Sequence, residues 1–534
     1  MTYKQNIKEI SRELIWEFTI DTLTKNRETT PILNNDYISK LWDYVFNEQL
    51  IPNNLTESVD NSYLDNWLSY SEQINQFDKK PNELKVAYLC GPEPENDLTH
   101  LLELGIRIEN IYAFESDRKT FETANNSLKN KYPNLKIFNG KIDHFVKTSY
   151  VKFDIIYLDF TTPLFSRNSK IYQSVITIFE NRALSELSCL IVNTTYPDKT
   201  EENIEFLTNY FHYQSFYESS VYSGKSDEDD SGSFVEDNFC YGIYEKDEFT
   251  PIIEKNFKEA YSAFQTSFII NYTNHILPIS NVIKNSHSVK RIFKDNKNLF
   301  KELIEKFEVS EDVYIEPSSY SLYHFFRELK DGKSDLSKDW ARFITKNDYN
   351  KYNLDDTVKY LYILLTAIYG DGYMDILSES LKKSIPEIMN NVPDSKFSRF
   401  SVFCDVPMIH LWLELAVNQL GYPYHHNTKN HKRYSYKAKE REMCLDIFTF
   451  DQCRSLYDWL PMIEYYGDDL QNLERQMMTR ICMDAIGKHS LHILDRQYFG
   501  SAMVCINDKD WSKNHYFEKR EEITTGNTVS YEKH

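Results

Sequence analysis

The sequence predicts an α/β fold: a parallel sheet wound by helices, preceded by a helical segment and followed by a long, mainly α-helical region. Three observations carry that expectation. Short apolar runs alternate with amphipathic stretches from Glu83 to about Lys246, glycines punctuate the first turns, and the rest of the chain places apolar residues at helical spacing. Residues 1–80 read as an N-terminal helical segment, 81–247 as the sheet domain and 248–534 as a helical C-terminal region long enough for two subdomains.

In the N-terminal segment, Ile7, Ile10, Leu14 and Phe18 fall on one helical face, and Leu41, Trp42 and Val45 begin another. Pro81 marks the exit. Val86 to Cys90 is then an apolar run of the kind a strand buried on both faces shows, and Gly91 breaks it where the backbone must turn. Asn96 or Asp97 is placed to cap the next helix, Leu98, Leu101, Leu102 and Leu104 stripe it, and Gly105 ends it. Ile111 to Phe114 is the second strand, closed by Glu115. A helix over about 119–131, a strand over 135–138, a strand over 153–160, a helix over about 170–184, a strand over 189–193 and a helix over 201–210 continue the alternation. Two aromatic-rich runs, 215–222 and 238–244, have no helix between them and are expected to pair as an antiparallel hairpin. The acidic stretch joining them, 223–237, has Asn238 where a calcium loop needs a bidentate Glu, so no metal is assigned.

In the C-terminal region, Leu299, Phe300, Leu303, Ile304 and Phe307 make one helical face. Asp355 with Gly370, Asp405 and Pro407 with Gly421, and Asp468 with Gly487 bracket further helices.

A carboxylate ending the second strand of an open α/β sheet stands where such sheets bind ligands. Its distance from Gly91 is close to the roughly 20 residues between a phosphate-side turn and the acid that grips ribose. The stretch from Val86 to Asp117, the five alternating units and the terminal hairpin resemble the class I S-adenosylmethionine-dependent methyltransferases, over residues 83–247. The resemblance implies a Rossmann-like sheet and S-adenosyl-L-methionine as cofactor. It puts Gly91 and Glu93 at the turn around the methionine part, Glu115 on the ribose hydroxyls and Asp143, in NGKIDHF, beside the adenine. It also puts the acceptor at the end of the fourth strand, where Asp159 is the candidate catalytic residue. The following residues are not of the DPPY type associated with exocyclic base amines, so the acceptor, nucleic acid or protein, stays open.

Composition sets outer bounds. A net charge of −20 over 534 residues confines any nucleic-acid contact to a local patch. Eight cysteines without a CxxC pair suit reduced thiols rather than a disulfide or zinc framework. The first residues lack the apolar core of a signal peptide, and the longest apolar runs, such as 360–369, fall far short of the ~20 residues a membrane span needs. A cytoplasmic protein without membrane contact is expected, with a protein partner or an oligomer as the open alternatives. No GxSxG or GxxxxGK[ST] occurs, which removes the commonest hydrolase and NTPase readings.

One stretch departs from the acidic background. Residues 424–441 carry Lys429, Lys432, Arg433, Lys437, Lys439 and Arg441 against the single acid Glu440, interleaved with Tyr424, Tyr434 and Tyr436. Cations among aromatic platforms suit single-stranded nucleic acid, while the plainer expectation is a solvated surface face. Two functions follow: a methyltransferase whose C-terminal half holds a substrate or partner, or a catalytically degenerate methyltransferase-like module that binds nucleic acid or protein through that half.

Overall fold

The structure is a computed structural model. It describes residues 6–33 save 29, 62–74, 79–165, 171–212, 246–273, 277–284, 420–457 save 428, and 519–525, with a few isolated positions besides. The expected hairpin of 215–222 with 238–244, the acidic stretch between them, the Leu41–Val45 face, and the helices expected around 299–307, 355–370, 405–421 and 468–487 lie outside the described residues.

Helix α1 spans Asn6–Thr24 and α2 spans Ser62–Ile74. Strand β1 (Val86–Leu89) leads through the Gly91 turn into α3 (Glu95–Glu103). Gly105, at φ +90°, ends that helix, and the Ile106 amide bonds back to the Leu101 carbonyl at 3.0 Å. Asp97 does not cap it. The helix starts from Pro94, whose conformation is already helical, and Asp97 is turned inward. Next come β2 (Ile111–Glu115) and α4 (Arg118–Leu128). Asp117 caps α4, its Oδ1 accepting from the Thr120 amide at 2.8 Å. Strand β3 (Lys136–Asn139), α5 (Ile142–Thr148), β4 (Phe153–Asp159) and α6 (Ile171–Glu180) follow. Strand β5 (Leu184–Thr195) starts five residues earlier than expected, and α7 (Glu201–His212) follows it. Helices α8 (Lys246–Lys255), α9 (Phe257–Asn271) and α10 (Leu277–Lys284) come before the last strands. Those are β6 (His425–His426), β7 (Lys432–Ala438), β8 (Arg441–Asp451) and β9 (Glu521–Glu522), with α11 (Arg454–Tyr457) after β8.

These strands form one nine-stranded mixed sheet in the order β3-β2-β1-β4-β5-β8-β7-β9, with β6 also on β8. The first five are parallel. β8 pairs antiparallel with β5 from Leu187↔Asp451 to Thr195↔Met443, and β7 pairs antiparallel with β8, so β7 points the same way as the first five. The antiparallel hairpin beside the parallel strands is therefore built from the basic stretch and the apolar run after it, in the region expected to be helical. The sheet draws on both sides of the boundary expected at 247. Such a sheet, with helices packed on it, is compatible with a Rossmann-like fold.

Strand alternation divides the core in two. Val86 and Tyr88 of β1, Ile155 and Tyr157 of β4, Cys189 and Ile191 of β5, Leu445 and Ile447 of β8, and Tyr434 and Tyr436 of β7 pack with α1 and with Leu98, Leu101 and Leu128 of α3 and α4. On the other face Phe114, Phe138, Phe145 and Phe153 form an aromatic cluster, and Phe165, Phe206, Phe264 and Phe268 form a second.

This second face also carries a buried ionic knot. Asp446 of β8, fully buried, accepts from Arg520 Nη2 (2.7 Å), Gln265 Nε2 (2.7 Å), Thr266 Oγ1 (2.8 Å) and His431 Nε2 (3.2 Å). Burial alone would raise its pKa, but Arg520, His431 and Arg433 together outweigh that and hold the carboxyl below the usual carboxylate range. The knot joins β8, α9 and the segment leading into β9. Among the described residues no helix is long and apolar enough to cross a membrane.

Candidate functional site

The sheet order reverses between β1 and β4, and the crevice outside the carboxyl ends of those strands is where open α/β sheets take ligands. At the end of β1 the Cys90 thiol is buried and pushed up to about 12, by desolvation first and by the charge of Glu115 second. Gly91 turns the chain at φ +59°, a conformation glycine adopts freely. A Cβ built there would meet nothing within 4 Å, so the backbone of the turn is open to close approach. Tyr88 holds the far side of the turn, its hydroxyl donating to the Pro94 carbonyl at 3.0 Å. Glu93 is exposed and lies along the start of α3, its Oε2 accepting from Asn96 Nδ2 at 3.1 Å.

Glu115 ends β2 half-buried. Its Oε1 accepts the Asp117 amide at 2.8 Å, and among the described residues its other oxygen has no hydrogen bond. The Gly140 amide donates to the Glu115 carbonyl at 2.8 Å, which ties the turn after β3 to the end of β2. Asp143 follows in the first turn of α5, and its Oδ1 is buried without a hydrogen-bond partner. Glu95 Oε2, one turn from Gly91, is in the same condition. A buried carboxylate oxygen without a donor is costly, and both lie at the carboxyl edge. The edge is thus rich in acceptors that lack donors.

Helix α1 walls the crevice. Its first half reaches this edge, and the segment after its end reaches the opposite one, where Ile32 N donates to Asp451 Oδ2 at 3.0 Å. Asp97 binds it there, accepting from the Trp16 indole at 3.0 Å and pairing with Arg12 Nε at 3.3 Å. Trp16 in turn meets Tyr157 of β4 edge to face at 5.5 Å. Desolvation raises the Asp97 pKa, against the pull of Arg12 and Trp16.

Asp159 ends β4 half-buried, and its Oδ1 accepts from Asn193 Nδ2 at 2.7 Å. The same amide nitrogen donates to the Tyr436 hydroxyl at 2.7 Å, while Asn193 Oδ1 is buried and unpartnered. The loop after Asp159 is pinned from three directions. Phe160 N donates to Asn193 O (2.8 Å), Leu164 N to the Tyr261 hydroxyl of α9 (2.7 Å), and Arg441 Nη1 to Thr161 O (2.7 Å). Asn193, Tyr436, Asp97, Trp16 and Arg12 are thus part of the site although their sequence context singles none of them out for it. Asp97 reads there as a helix cap.

The structure therefore brings Gly91, Glu93, Glu115, Asp143 and Asp159 to one edge and distributes the basic stretch differently. Tyr424, Tyr434 and Tyr436 are buried, which leaves their rings no open face for a stacked base. Arg433 lies within 3.9 Å of Asp446 in the buried knot, and Lys432 sits over the Phe18 ring. Lys429, Lys437, Lys439 and Arg441 are exposed. Lys429 lies at the opposite end of β7, whereas Lys437, Lys439 and Arg441 surround the hairpin turn, on the same edge as Asp159. Electrostatically, then, the edge has acidic, donor-seeking walls and a small cationic rim. No family model, curated protein or solved structure matches the chain.

Proposed function

We propose that the chain is an S-adenosyl-L-methionine-dependent methyltransferase, with Glu115 on the cofactor ribose and the methyl acceptor beside Asp159. The observation that carries the reading is the sheet: five parallel strands with a switch point between β1 and β4, extended by an antiparallel hairpin, as in the class I methyltransferases that the sequence resembles. The residues at the crevice fit this cofactor. Beside its carboxylate it presents an ammonium, two ribose hydroxyls and an adenine amino group as donors, and the edge offers the Glu115 carboxylate, with Glu95 Oε2 and Asp143 Oδ1 as acceptors without donors. A pyrophosphate, by contrast, would meet Glu93 and Glu95 at the turn, which disfavours a dinucleotide. When bound, the cofactor supplies an electrophilic methyl group on a sulfonium. The chain's part is to hold it between the Gly91 turn and Glu115 and to present the acceptor from the Asp159 side.

Isothermal titration calorimetry with S-adenosyl-L-methionine tests the reading. Glu115→Ala removes charge-assisted hydrogen bonds and is expected to cost about 1.5–3 kcal/mol, a loss of affinity of about tenfold or more. Unchanged affinity in that variant would move the ribose elsewhere. Absence of binding by the parent protein favours the degenerate module, a reading supported by a turn with Gly91 as its only glycine.

A further inference from the structure

A cation is set into the acidic crevice with its terminal nitrogens unused. Arg12 of α1, its side chain 18% exposed, meets Asp97 Oδ2 through Nε alone, at 3.3 Å. The Trp16 indole occupies the other Asp97 oxygen, so that carboxylate is engaged at both oxygens. Among the described residues the two terminal nitrogens of Arg12 make no hydrogen bond, and neither is closed off from solvent. A guanidinium in this state offers a planar fork of parallel N–H groups, the shape that grips a carboxylate with two bonds. The fork is also held in place. Leu14, Ile15 and Trp16 anchor α1 in the core, and Ser11, the residue before Arg12, lies against the Tyr436 hydroxyl that receives Asn193 Nδ2. Glu95 and Asp97 share the first turn of α3, so Arg12 stands near the Gly91 turn, and the charge of Asp159 also reaches it. Lys141, Lys437 and Arg441 stand exposed on the rim, whereas Arg12 is inside.

We infer that Arg12 is the carboxylate receptor of the crevice: its terminal N–H groups take the α-carboxylate of S-adenosyl-L-methionine, which makes α1, a helix outside the sheet domain, part of the cofactor site; the inference rests on the methyltransferase reading. The methionine end of the cofactor is a zwitterion, and its carboxylate is the group an acidic edge accommodates least. Glu93, Glu95, Asp97 and Asp159 all repel it unless a cation stands between. A simple anion such as phosphate gains Arg12 but faces the same acids with no positive charge of its own to offset them. A carboxylate one carbon away from an ammonium meets both signs of the crevice, the fork of Arg12 with one group and the donor-less Glu95 Oε2 with the other. Because the guanidinium is already fixed by Asp97 and by the packing of α1, little freedom is lost when it binds. Arg12 is therefore a specificity residue. It separates the intact cofactor from the same molecule without its carboxylate.

Calorimetry on the whole chain with S-adenosyl-L-methionine and with its decarboxylated form, which keeps the amine, the sulfonium and the adenosine, reads this contact from the ligand side. The parent protein is expected to prefer the intact cofactor by about tenfold or more, the worth of a charge-assisted hydrogen-bonded pair. Arg12→Gln keeps an N–H donor for Asp97 and removes the charge and the fork. It is expected to bring that preference close to unity by weakening the intact cofactor, with affinity for the decarboxylated form no lower than in the parent. A merely structural role for Arg12 would weaken both ligands alike. If Arg12→Gln does not fold, as its denaturant midpoint would show, Arg12→Lys keeps a cation for Asp97 without the fork and is expected to narrow the preference in part. Equal binding of the two ligands by the parent, or equal weakening of both in the folded variant, overturns the role of Arg12 and leaves the cofactor reading intact. Failure of the parent to bind S-adenosyl-L-methionine removes both.

Discussion

Asp97 and Asp446 are both buried carboxylates, yet their neighbours move them in opposite directions. Burial is the largest influence on each. At Asp97 burial outweighs Arg12 and Trp16, so the folded protein resists its ionisation and loses stability as pH rises from about 4 through the raised value. At Asp446 the cations win, so stability is present above about 4 and is lost as pH falls below it. His426 and His431, both lowered chiefly by burial, add a loss on the acid side that begins as pH drops through the usual histidine value of 6.5. Urea denaturation at a series of pH values should therefore show stability falling below about pH 6.5 and more steeply below about 4. Asp446→Asn should flatten the lower part of that fall, and Asp97→Asn should remove a loss with rising pH; profiles parallel to the parent in both variants would contradict these assignments. Asp446→Ala near neutral pH strands Arg520, whose side chain is 1% exposed, and is expected to cost about 3–5 kcal/mol.

At the scale of elements, the β7–β8 hairpin changes what the basic stretch can be. Tyr434 lies beneath α1 in the core, so Tyr434→Ala is expected to destabilise the fold by about 3–5 kcal/mol, visible in the denaturant midpoint, whatever it does to any ligand. If single-stranded nucleic acid binds at the rim, the exposed cations of the basic stretch that lie there are Lys437, Lys439 and Arg441. The log affinity should then fall with log salt by roughly 0.7 per contact, and Lys437→Ala should flatten the slope by one such step. A slope unchanged in that variant would remove the rim from the interface. The strands β1 to β5 were legible because each is an apolar run bounded by turn residues, and Gly91 and Gly105 sit where left-handed backbone is needed. β7 was not, because Lys432, Arg433 and Lys437 mask the period-two placement of Tyr434, Tyr436 and Ala438, which is the signature of a strand with one buried face. In β8 the readable sign was Asp446 in the middle of an apolar run, since a lone acid there requires a buried cation. Nothing local ties Arg520 to that role. The site was legible where it rests on strand ends, at Gly91, Glu115 and Asp159, and illegible where it rests on tertiary contact, at Arg12, Trp16 and Asn193.

At the scale of the molecule, the sheet joins residues 81–247 to the C-terminal region, because β5 pairs with β8. β5 would present from Leu187 to Thr195 an unpaired, apolar edge, the kind of edge that templates association between chains. Expressed alone, that fragment is expected to aggregate, and size-exclusion chromatography showing it monomeric and cooperatively folded would refute this. The order of synthesis makes the same point in time. Thr195 ends β5 and Arg441 begins its partner, 441 − 195 = 246 residues later. At the usual elongation rate of about 5–20 residues per second, the nascent chain carries that bare edge for roughly 10–50 seconds before its mate leaves the ribosome. The interval is far longer than the microseconds to milliseconds in which helices and local collapse form. The protein is thus exposed to holdase chaperones, and to pairing with neighbouring nascent chains on the same message, during every round of translation.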